Sequence, residues 1–89
     1  MPEGFHEPVE KLSVATIEMH RAIISLMEEL EAVDWYNQRV DCCQDEELKE
    51  ILIHNRDDEK EHAAMVLEWI RKKDSVFSDE LKERLFASE

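Results

Sequence analysis

The sequence predicts an all-α chain: an antiparallel hairpin of two long helices and a short C-terminal helix, which a second copy completes as a four-helix bundle. Three observations carry this. Glycine occurs once and proline twice, as Gly4, Pro2 and Pro8, so nothing from Val9 onward suits a hairpin turn or breaks a helix. Charged residues (38%) and apolar residues (43%) are mixed as Glu, Lys, Leu, Ile and Ala, which favours amphipathic helices over strands or a disordered tail. Apolar residues also recur at helical period along most of the length. With 89 residues the chain admits one domain, 1–89.

Pro8 suits the first turn of a helix, where its missing N–H has no partner to lose, and this places helix one at about residues 8–40. Leu12, Met19, Leu26, Val33 and Val40 recur every seven residues, joined by Ala15, Ile23 and Leu30, along a rod of roughly 50 Å. Asp41-Cys42-Cys43-Gln44-Asp45 interrupts the pattern, and Asp45 is a good N-cap with Glu46 and Glu47 favoured by the helix dipole behind it. Helix two is therefore expected at about 46–72, with Leu48, Ile51, Leu52, Val66, Trp69 and Ile70 on one side and Arg71, Lys72 and Lys73 closing its C-terminus. Phe77, Leu81 and Leu85 fall at four-residue spacing and predict a short helix at about 77–86.

A hairpin alone leaves its apolar stripe uncovered, so the pattern predicts a dimer. Ile24 and Trp35 lie on the opposite side of helix one and point to a further interface.

The net charge of −12 argues against nucleic acid and anionic membranes and favours cationic partners, metal ions included. No apolar run approaches the roughly 20 residues of a membrane span, and residues 1–7 carry no leader pattern, which predicts a cytoplasmic protein. The only cysteines, Cys42 and Cys43, are adjacent and form no disulfide framework; no chemistry is assigned to them.

Three polar residues fall where the core should be. On a helical wheel Asn55, Val66, Trp69 and Ile51 lie within about 40° of His62, and Glu59 lies about 60° away. On helix one Glu29 flanks the row Met19, Ala22, Leu26, Val33, Tyr36, whereas Glu28 and Glu31 point outward. A buried, unpaired carboxylate costs several kcal/mol. Arg56 and Lys60 point away from His62, so no basic side chain offsets that cost. Glu59 and His62 form a Glu-x-x-His pair over one turn, and two-fold pairing supplies two copies each of Glu29, Glu59 and His62. Four carboxylates and two imidazoles match the ligand set of ferritin-like di-iron sites in helical bundles. Such a set neutralises two Fe²⁺ ions and stabilises Fe³⁺ more, which favours oxidation. Iron is the expected metal, with calcium, manganese or zinc as substitutes.

Two strings, Met27-Glu28-Glu29-Leu30-Glu31-Ala32-Val33-Asp34-Trp35-Tyr36 and His54-Asn55-Arg56-Asp57-Asp58-Glu59-Lys60-Glu61-His62-Ala63-Ala64-Met65, resemble the encapsulated ferritins, the ferritin-like cargo of encapsulin nanocompartments. The similarity runs from about His6 to Arg71. The resemblance implies a hairpin that dimerises around a ferroxidase centre and assembles into a ring of five dimers, a homodecamer. It implies that Fe²⁺ is oxidised there and that the mineral is stored by the encapsulin shell around it. The resemblance also places the iron ligands on Glu29, Glu59 and His62, a nearby aromatic on Tyr36, and an outer site of first metal binding on Glu28 and Glu31 beside Trp35. Cargo of this kind is expected to carry a short targeting tail, and none is visible after Leu85-Phe86-Ala87-Ser88-Glu89. The reading from another class is a non-catalytic acidic assembly module whose Glu and His fix helix register. A third, an oxygenase or peroxidase acting on an organic substrate, would need a pocket and an electron donor that the sequence does not mark.

Overall fold

A computed structural model describes residues 4–86 and shows the all-α architecture that the sequence predicts. A single turn of 3-10 helix at Val9–Lys11 precedes three α-helices: α1 (Val14–Cys42), α2 (Glu46–Lys73) and α3 (Ser75–Arg84). There is no strand among the described residues, and no helix is long and apolar enough to cross a membrane.

Helix α1 starts six residues later than Pro8 suggests. Pro8 instead leads the 3-10 turn, Leu12 is extended, and Ser13 is the true cap: its hydroxyl accepts the Thr16 N–H at 3.1 Å. A side chain that satisfies an orphan N–H outweighs a residue that merely lacks one. At the other end α1 continues through Asp41 to Cys42, so the loop is only Cys43–Asp45. Cys43 accepts no cross-link; its thiol lies 3.5 Å from the Asp45 carbonyl. Asp45 caps α2 by accepting the Leu48 N–H at 2.8 Å. Helix α3 begins at Ser75, two residues before the predicted start, because Asp74 accepts the Phe77 N–H at 3.0 Å and nucleates the turn. It ends at Arg84 rather than Phe86, since Leu85 is extended and Phe86 adopts φ 62°.

The short loop returns α2 antiparallel to α1. The register is visible in two cross-helix contacts, Arg56 to Asn37 at 3.3 Å and His62 to Glu29 at 3.6 Å. Helix α3 packs on α2 alone and turns away from the hairpin, giving a plate of 51 × 41 × 15 Å. Among the described residues the buried apolar side chains are only Val40, Ala63 and Ile70. Ile23, Met27 and Leu30 on α1, and Leu48, Ile51, Met65 and Trp69 on α2, all remain exposed. A chain of this size cannot afford such an uncovered apolar face, so the hairpin calls for a second layer.

The outer face of α1 differs from expectation at Ile24. The N-terminal segment lies across it: Gly4 has φ 89°, and a Cβ there would come within 2.9 Å of His20 Cε1 and 3.7 Å of Ile24 Cδ1. The Phe5 ring lies 4.3 Å from the His20 ring. Ile24 is half-buried beneath the protein's own N-terminus rather than free for another surface, while Trp35 keeps 49% of its surface exposed.

Candidate metal centre

Glu29 lies midway along α1, and Glu59 and His62 lie one turn apart on α2. The antiparallel register brings them together, with one potential ligand atom from each residue and all three atoms within 4.8 Å of one another. His62 Nδ1 is 3.5 Å from Glu59 Oε2 and 3.6 Å from Glu29 Oε2. The carboxylates are about three-quarters buried, and the imidazole is half-exposed on the open side of the hairpin.

The neighbouring cations are engaged elsewhere. Arg56 donates to Asn37 and Asp57, and Lys60 pairs with Asp57 at 3.3 Å. Glu29 Oε2 is shut off from solvent and has no hydrogen-bond partner. The facing carboxyl of Glu59 pushes the pKa of Glu29 up, chiefly by favouring a shared proton, and burial adds to this while His62 opposes it. Two facing carboxyls and an imidazole, with an oxygen left unpartnered, make a site short of positive charge. Two oxygen donors and one nitrogen suit Fe²⁺, Mn²⁺ or Zn²⁺, and the residues fit a metal ion.

The other residues selected from the sequence do not join this group. Glu28 and Glu31 are exposed on α1 near the half-exposed Trp35. Tyr36 is half-buried two turns beyond Glu29, with the Arg39 guanidinium 5.2 Å over its ring. Sequence reasoning overlooked that contact, although the i, i+3 spacing of Tyr36 and Arg39 was the signal for it. It also left Arg56 without a role; the Asn37 hydrogen bond shows that Arg56 ties the two helices together next to the carboxylates.

Glu29 gives a pH dependence of defined sign. Because its folded pKa is raised, the metal-free protein holds more protons than the unfolded chain at pH values above 4.5, so its stability falls as pH rises through that window. Glu29→Gln removes the effect. It is expected to stabilise the metal-free protein at neutral pH and to flatten the fall that sets in above pH 4.5. Thermal unfolding of chelator-treated protein across pH checks this; an equally steep fall in the variant would assign it to other groups.

Comparison with known proteins bears on this site. The EncFtn-like family profile matches residues 4–88. Over 81 residues, 91% of this chain, the sequence is 60% identical to an encapsulated ferritin-like protein of Rhodospirillum rubrum, and the match spans 58% of that relative's length. Over 86 residues, 97% of this chain and 75% of the relative, it is 48% identical to a ferritin-like protein of Thermotoga maritima. A crystal structure of a Nitrosomonas europaea protein superposes with a TM-score of 0.93 at 64% identity, covering 98% of this chain and 96% of that one.

Proposed function

This chain belongs to the EncFtn-like family, and from that premise we propose that it is a ferroxidase, oxidising Fe²⁺ to Fe³⁺ at a di-iron site shared between two subunits. The observation that carries the reading is the convergence of Glu29, Glu59 and His62, with Glu29 Oε2 buried and unpartnered. Each protomer contributes half of a site, and the two-fold partner supplies the second Glu29, Glu59 and His62.

Iron is the substrate. Glu29 and Glu59 bind it as carboxylates, and the cation offsets the facing negative charge that raises the Glu29 pKa in the metal-free protein. His62 adds a nitrogen and holds the Glu59 side of the site one helical turn away. Four carboxylates offset the charge of two Fe²⁺ and stabilise the ferric product more strongly, so the residues bias the couple toward oxidation. The electrons, one per iron, pass to dioxygen or peroxide. Glu28 and Glu31, exposed beside Trp35, form an outer acidic site that captures Fe²⁺ before transfer inward, and Tyr36 is the aromatic neighbour of the reacting irons.

The dimer is the unit of the site, and five dimers close into a ring-shaped homodecamer. The name of the Rhodospirillum rubrum relative supports an encapsulin shell as partner, so this protein would act in the cytoplasm inside such a nanocompartment and supply iron for storage there.

Anaerobic Fe²⁺ loading followed by air tests the activity. Ferric absorbance is expected to rise well above the buffer rate and to saturate near one iron per chain in a species larger than a monomer. Oxidation no faster than buffer in a well-formed oligomer would leave Glu29, Glu59 and His62 as residues that only fix the register of helix packing, the role a non-catalytic assembly module requires.

A further inference from the structure

At the corner where α2 ends and α3 begins, a cavity of about 500 Å³ is lined by Lys72, Lys73 and Lys82, with Arg71 and Ser78 at its wall. It contrasts with the chain as a whole, which carries 23 acidic against 11 basic residues. Lys72, Lys73 and Lys82 make no ion pair with any carboxylate among the described residues. Lys73 instead lies 5.7 Å from the Trp69 ring. Asp79 also lines the cavity, and it is the one acid to do so.

The wall is built rather than incidental. Arg71 is held in a fixed fork by Glu68, through Nε at 2.6 Å and Nη2 at 2.8 Å, and its Nη1 donates to Ser78 Oγ at 3.1 Å. Ser78 is 7% exposed, a buried hydroxyl at the junction of two helices. A guanidinium has five N–H donors, and three are used here, which leaves one each on Nη1 and Nη2. Glu68 offsets the charge of Arg71 and acts in part on Lys72, and Lys73 reaches toward Trp69, so the lysines against Asp79 still leave the cavity with a positive surplus. Holding unpaired ammonium groups around one concave space costs Coulomb energy that an anion would relieve. The dipole at the start of α3 has the same sign, although Asp74 already caps that end.

We propose that this cavity binds a small tetrahedral oxyanion of the phosphate class. Lysine ammonium groups serve such an anion as point charges, and Ser78 and the free Arg71 donors supply directional hydrogen bonds. Its size and mostly polar wall suit a small hydrated ligand rather than an apolar chain. The site lies some nine to fourteen residues along α2 from Glu59 and His62, roughly 14–21 Å at helical rise, so it stands independently of the metal centre.

The test uses the full chain, freed of metal, with inorganic phosphate as the probe. Phosphate titration by calorimetry, and by ³¹P NMR at ionic strength held constant with chloride, is expected to show saturable binding of one phosphate per chain. Lys72→Ala with Lys82→Ala should weaken it at least tenfold, whereas Lys49→Ala, remote on α2, should leave it unchanged. Both lysines are exposed, so the variant is expected to keep its fold, which circular dichroism checks. Lys72→Arg with Lys82→Arg should retain most of the affinity. The proposal is overturned if phosphate does not saturate, or if the double alanine variant binds it as the unaltered protein does. It is overturned equally if phosphate fails to bind while that variant shifts the mass of the assembly, since the cations would then face a second copy.

Discussion

Replacing Glu59 by alanine is expected to slow Fe²⁺ oxidation by about a hundredfold or more, the scale of losing several kcal/mol of charge stabilisation at a metal site. The expectation rests on position. Glu59 touches both other members of the group, lying one turn before His62 on α2 and facing Glu29 across the hairpin. Its removal would leave each protomer's half of the proposed site with one carboxylate and one imidazole. Glu29→Ala should behave alike, and neither should unfold the protein, because the side chain removed opposes its facing neighbour rather than supporting it. Lys60→Ala, one residue away but paired with Asp57 on the solvent side, is the control and should keep its rate. Glu28→Ala with Glu31→Ala should act differently, lowering the rate at scarce iron while leaving the final stoichiometry unchanged. Stopped-flow ferric absorbance separates these patterns, and normal turnover in both Glu29→Ala and Glu59→Ala would remove the ferroxidase assignment.

The second large effect concerns assembly. Leu30 is 55% exposed next to Glu29, and Ile51 is 50% exposed on the side of α2 that carries His62. Lysine at both positions places charge where a second hairpin must pack, and an unpaired buried charge costs about 3–5 kcal/mol. Leu30→Lys with Ile51→Lys is therefore expected to sediment as a monomer, to lose much of its helicity near neutral pH and to oxidise iron at least tenfold more slowly. The unaltered protein should melt at a temperature that rises with its concentration, as an obligate oligomer does. A folded, active monomer in either case would show that the exposed apolar face needs no partner.

Much of this architecture could be read from residues alone. Asp45 announced α2, and the seven-residue spacing of Met19, Leu26, Val33 and Val40 announced α1, because both depend on neighbours within a turn or two, whereas Leu12, in the same spacing, lies in extended chain before the helix. The meeting of Glu29 with Glu59 and His62 was also legible, since two rigid helices joined by a short loop have few registers. What escaped depends on contacts distant in sequence or on competition between local signals. Pro8 and Ser13 both suit a helix start, and only the geometry of the Thr16 N–H decides for Ser13. Ile24 reads as an outward apolar residue until Gly4, with its positive φ, lets the N-terminal segment fold back over it. The wall formed by Arg71 and Ser78 depends on the angle at which α3 leaves α2, and no periodicity encodes that angle.

The protomer is 15 Å thick, little more than one helix with its side chains. Such a plate has two faces and no inside. A newly made chain can form its hairpin at once, but if its apolar face is the dimer seam proposed above, that face stays open to proteases and to wrong neighbours until a mate arrives. At association rate constants of about 10⁵–10⁷ M⁻¹s⁻¹ the waiting time is set by how many copies are present. Abundance itself thus becomes a determinant of survival, and production in bursts would mature more protein than the same total made slowly.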